Sequence, residues 1–126
     1  MNDISTPVPD PAAMVIDMQH VIDDLQIDEA GYIELVAVFL DEVPTIREAM
    51  ARALERGREP LMRVSHELGT TLGVLGAARG QRLAREIERA LRAGEPVDLP
   101  MAASSMLREL ELVVQILRSG PATVVP

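Results

Sequence analysis

The chain has 126 residues and a mass of 13.7 kDa, the length of one domain, with 20 acidic side chains against 12 arginines and no lysine, for a formal net charge of −8. That balance argues against nucleic acid as a general partner, and the absence of cysteine removes thiol catalysis, iron–sulfur clusters and zinc fingers. No apolar run approaches the roughly 18 residues of a membrane span, so no membrane insertion is expected and a cytoplasmic protein is the default.

Residues 1–13, with Pro7, Pro9 and Pro11, and residues 119–126 read as disordered tails, which leaves 14–118 as the folded domain. Met14, Met18, Val21, Ile22 and Leu25 share one helical face and predict a short first helix, followed by a break at 26–28 in which Asp28 is an N-cap. Tyr32, Leu35, Val36, Phe39, Leu40, Val43, Ile46, Met50 and Leu54 then keep i, i+3, i+4 spacing as far as Gly57. Pro44 makes this either one kinked helix or two in sequence. Pro60 fits the first turn of the next helix, whose inner stripe is Leu61, Val64, Ser65, Leu68, Leu72 and Leu75 before Gly76.

Leu83, Ala84, Ile87, Ala90 and Leu91 mark a further helix that Gly94 closes. On its other side, Arg82, Arg85, Arg89 and Arg92 stand within pairing distance of Glu86 and Glu88 and read as a solvated face. Asp98 caps the last helix, with Ala103, Met106, Leu107, Leu110, Val113, Val114 and Leu117 inside. No segment alternates with period two, so the expected fold is all-α. It is an antiparallel up-and-down four-helix bundle with a short additional N-terminal helix.

A helix turns about 100° per residue, which places His66 roughly 140° from Leu61 and off the inner stripe of its own helix. Met62 and Arg63 stand one turn before it, and Gly69, Thr70, Gly73 and Ala77 follow on the same side. Glycine inside a helix costs about 1 kcal/mol relative to alanine, so Gly69 and Gly73 call for a return: either close packing against a neighbouring helix or a docking surface around the histidine. His20, near Asp17, Asp23 and Asp24, reads as part of a solvated acidic helix end, and no metal site is expected.

Residues 65–77, Ser-His-Glu-Leu-Gly-Thr-Thr-Leu-Gly-Val-Leu-Gly-Ala, resemble the phosphorylation motif of histidine-containing phosphotransfer (HPt) domains, commonly written A-H-x-L-K-G-S-S-x-x-L-G-A. His66, Leu68, Thr71, Leu75, Gly76 and Ala77 fall in register. The segment from Tyr32 to Pro44 resembles the family's aromatic-rich helix ending in F-L-x-x-x-P, and Glu88 lies near a recurrent acidic position. The likeness spans about residues 28 to 117. Two positions depart from it: the family's lysine is Gly69 and its following glycine is Thr70. In the family that lysine is held to favour the phosphoryl group electrostatically, and Arg63 is the candidate from helical spacing to supply the missing charge.

The resemblance implies that His66 accepts a phosphoryl group on Nε2 from the aspartate of a response-regulator receiver domain and donates it onward. Met62, Arg63, Glu67, Gly69, Thr70, Gly73 and Ala77 would form the docking surface. A hybrid histidine kinase is a further possible partner. The protein would be a phosphotransfer intermediate rather than an enzyme, with no cofactor of its own, since the receiver brings the Mg²⁺. The departures at Gly69 and Thr70 motivate an alternative, an adaptor that binds a receiver or kinase without being phosphorylated. A helical or dimerisation module with an incidental histidine is the reading without phosphotransfer.

Overall fold

A computed structural model describes residues 15–119. The segments read as tails lie outside them, save Ser119, whose hydroxyl donates to the Gln115 carbonyl at 2.9 Å. The described residues form five helices: α1 (Met18–Leu25), α2 (Glu29–Arg56), α3 (Arg58–Val74), α4 (Ala78–Arg92) and α5 (Leu99–Arg118). No strand occurs among them, and α2 to α5 make the antiparallel bundle that the periodicity predicts. No described helix is long and apolar enough to cross a membrane.

The helix boundaries have local causes. Asp17, Asp28 and Asp98 each accept a hydrogen bond from the backbone N–H three residues on and so satisfy a donor that the first turn leaves free. Pro44 does not divide α2, which runs unbroken for 28 residues. The proline is exposed, so the Leu40 carbonyl that it leaves without an N–H partner lies toward water. Gly57, at φ 110°, ends α2 and turns the chain directly into α3. Arg58 then donates to the Leu91 and Glu95 carbonyls at 3.3 and 2.8 Å, placing a cation at the C-terminal end of α4, where the helix dipole favours one.

The core is a single cluster that includes Tyr32, Phe39, Val43, Met50, Leu61, Leu72, Met106 and Leu110, all of them buried. Leu25 departs from the expected inner face of α1 and is 47% exposed, while Val15 and Ile16, ahead of the helix, are buried in its place. The bundle is pinned at one end by the turn between α3 and α4. Tyr32 donates its buried hydroxyl to the Leu75 carbonyl at 2.9 Å, and the Asp17 N–H donates to the Gly76 carbonyl at 3.0 Å. Gly76 has φ +83°, and a Cβ there would lie 2.6 Å from the Asp17 carbonyl oxygen and 2.7 Å from Val21 Cγ2. A glycine is therefore what lets α1 rest on the α3–α4 turn.

Candidate functional site

His66 lies on α3 at the seam with α4, the pair of helices in most extensive contact. Its side chain is 54% exposed, and its Nδ1 stands 2.9 Å from Oε2 of Glu88, a carboxylate only 10% exposed. Glu88 belongs to the inner stripe of α4 with Gly80, Ala84 and Leu91. The small residues of that stripe let α4 approach α3 closely enough for the contact. A Cβ at Gly80 would meet Leu72 Cδ1 at 2.8 Å, and one at Gly69 would meet Ala84 Cβ at 3.5 Å.

Arg92 Nη2 donates to the same Glu88 oxygen at 2.6 Å, and Arg85 Nη1 approaches the other at 3.9 Å. Burial pushes the Glu88 carboxyl up, but the hydrogen bonds from Arg92 and His66 outweigh it and hold the group below the usual carboxylate range. An ionised carboxylate can only accept, so His66 donates from Nδ1 and its proton is fixed there. The Nε2 lone pair is left without a proton, on the opposite edge of a half-exposed ring. The arrangement supplies a positioned, half-exposed imidazole with an ionised carboxylate against one edge of the ring.

The structure redistributes the expected docking residues. Thr70 is exposed, with its hydroxyl donating to the His66 carbonyl at 3.1 Å, and Gly73 is half-buried on the same side. Gly69 and Ala77 are corrected: both are buried, the first beneath α4 and the second at the start of α4, so neither offers an exposed face. Gly69 packs against Ala84 and the stem of Arg85, where a Cβ would make ordinary contact with both. Gly73 faces Gln81, whose amide fills the place of a side chain there. Met62 packs half-buried against the core, and Glu67 lines a groove with Glu42 and Ile46 of α2, on the other side of α3 from Glu88. Arg63 pairs with Glu59 of its own helix at 2.8 Å, and the cations gathered around the histidine's carboxylate are Arg85 and Arg92 instead.

Sequence reasoning left Arg85 and Arg92 on a solvated face, set Glu88 there too apart from the resemblance to a recurrent acidic position, placed Leu25 on the inner face of α1 and gave Val74 no role. Glu88 carried a usable signal, since it stands four residues after Ala84 and eight after Gly80, on the stripe of small residues. Leu25 and Val74, each 47% exposed, line one shallow cavity with His20, Asp24, Thr70, Gly73 and Arg85, whose α3 residues stand one to two turns after His66. No group of three or more His, Cys, Asp or Glu able to hold a metal ion occurs among the described residues.

The family model described as Hpt domain matches residues 34–120, which include His66, Glu88 and all of α3, α4 and α5. The chain belongs to the histidine-containing phosphotransfer domain family. No curated protein and no solved structure matches it. Membership makes this Hpt domain a component of phosphorelay signalling in two-component systems, where such domains carry phosphoryl groups and interact with receiver domains and histidine kinases.

Proposed function

We propose that His66 is the phosphoryl acceptor of this Hpt domain and exchanges the group with the aspartates of response-regulator receiver domains. The observation that carries the reading is the contact between Nδ1 of His66 and the nearly buried, ionised Glu88, which leaves Nε2 as the exposed nucleophile. The Nε2 lone pair forms an N–P bond as the P–O bond of the aspartyl phosphate breaks, and the aspartate leaves as a carboxylate. No proton has to be lost. The ring keeps its Nδ1 proton and becomes cationic, and Glu88 stabilises that charge. In the reverse step the imidazole leaves neutral.

Phosphoryl transfer passes through a loose transition state in which positioning and charge stabilisation do most of the catalysis. The Mg²⁺ and the acidic pocket come with the receiver, so the Hpt domain functions without a metal or nucleotide of its own and acts as an intermediate rather than an enzyme. Thr70, Gly73, Leu25 and Val74 offer the docking surface, one to two turns along α3 from His66, with apolar contact from Leu25 and Val74. Exchange with receivers and with the soluble part of a hybrid histidine kinase places the protein in the cytoplasm.

The deciding experiment is transfer from a phosphorylated receiver to the wild type and to His66→Gln. The expected result is a label on the wild type that is acid-labile and alkali-stable, and none on the variant. Receivers that bind while His66 stays unlabelled would make the domain an adaptor and overturn the relay reading.

A further inference from the structure

The cations near His66 are not equally committed. Arg92 holds Glu88 at 2.6 Å and Arg63 holds Glu59 at 2.8 Å, both within hydrogen-bond distance. Arg85 Nη1 lies 3.9 Å from Glu88, too far for a hydrogen bond, and its side chain is 44% exposed. Its stem crosses α3 where Gly69, one turn after His66, has no side chain. A Cβ at Gly69 would lie 3.5 Å from Arg85 Cγ and 3.7 Å from Arg85 Nε. The same side chain lines the shallow cavity that contains Thr70 and Gly73, on the exposed side of α3.

We propose that Arg85, seated on the bare backbone of Gly69, is the cation that this domain supplies to the phosphoryl group on His66. A phosphoryl dianion offers the guanidinium a stronger acceptor than the loose contact with Glu88, and Arg92 remains to neutralise the carboxylate. The bare backbone at Gly69 and the arginine on α4 form one device: a Cβ at position 69 would only touch the Arg85 stem, whereas a longer side chain would occupy the saddle that Arg85 uses. The inference rests on His66 being the acceptor, and its test separates the two.

The test uses phosphoramidate, a small phosphoryl donor that needs no receiver: Nε2 of His66 forms the N–P bond while the donor's P–N bond breaks and its nitrogen leaves as ammonia. Labelling rate and phosphohistidine lifetime are followed by phosphorus NMR, with circular dichroism confirming the fold of each variant. Arg85→Ala is expected to shorten the lifetime and slow labelling by about tenfold, the scale of one lost charge-assisted hydrogen bond. Arg85→Lys recovers part of the loss, since lysine brings the charge without the planar fork. Gly69→Lys in the Arg85→Ala background recovers it by returning a cation through the vacated space.

Arg108→Ala, which removes an exposed arginine on α5, leaves both quantities unchanged. If Arg85→Ala matches the wild type, or Arg108→Ala loses as much, the inference about Arg85 is wrong while His66 stands as acceptor. If the wild type takes no label from phosphoramidate, the acceptor reading and this inference both fall.

Discussion

At the scale of single residues, one part-buried and one buried hydrogen bond divide the work between chemistry and stability. The Glu88 carboxylate fixes the proton of His66, so Glu88→Gln, which keeps the shape and removes the charge, should slow transfer from a phosphorylated receiver by about tenfold. Single-turnover measurement at saturating receiver checks this, because an unchanged affinity with a reduced rate distinguishes lost charge from lost docking. Tyr32 serves the fold. Burial and the nearby Asp17 carboxylate raise its phenol to about 12, and Tyr32→Phe, which leaves the Leu75 carbonyl unpaired, should cost about 1 to 2 kcal/mol in urea unfolding. The folded phenol titrates above its unfolded value of 10, so its contribution is complete below that value and is lost as pH rises through about 12. The chain has no lysine, no cysteine and one tyrosine, so the alkaline loss that sets in above 10 should be reduced in the phenylalanine variant.

At the scale of elements, α1 and the α3–α4 turn form a joint that involves neither His66 nor Glu88. Gly76→Ala forces a side chain into a left-handed backbone and against the Asp17 carbonyl, which should cost more than the roughly 1 kcal/mol of an ordinary glycine replacement and lift α1 from the turn. The expected outcome is weaker receiver binding, because Leu25 leaves the docking surface, with labelling of His66 by phosphoramidate preserved; titration calorimetry and phosphorus NMR read the two separately. The helices themselves were legible in the sequence because periodicity, the aspartate caps at Asp28 and Asp98 and the glycine stops all agree, whereas the cap at Asp17 was not read. Less of the site was. His66 stood out by its angle on the helix, but the same wheel assigned Gly69 to an exposed face, since it carries no information about which neighbour covers which side. Glu88 and Arg85 act across a seam between helices, and spacing along one helix cannot show a partner on another. The exposure of Pro44, which lets α2 continue, is likewise set by how the whole helix packs.

At the scale of the molecule, opposite charges are joined across helices. Arg47 of α2 meets Glu111 of α5 through two contacts of 2.6 Å, and Arg79 of α4 meets Glu109 of α5 at 3.0 Å. Hydrogen bonding to Arg47 holds the Glu111 carboxyl below its ordinary range against the opposing effect of burial, and Glu88 is held low as well. Groups with depressed folded values contribute stability that is present above the ordinary carboxylate value and lost as pH falls through the folded one. The stability difference between the wild type and Glu88→Gln should therefore be present at neutral pH and disappear on acidification, as urea unfolding at stepwise lower pH would show. The placement of His66 and Glu88 has a further consequence, for the order of assembly. They lie in one hairpin whose arms are joined by a turn of a few residues, so their meeting spans 22 residues, against 43 for Tyr32 and Leu75 and 64 for Arg47 and Glu111. During synthesis from the N-terminus, both partners and their cations leave the ribosome before any residue of α5 does. The His66–Glu88 contact can form while the bundle is still three helices, and α5 arrives to lock a geometry already drawn.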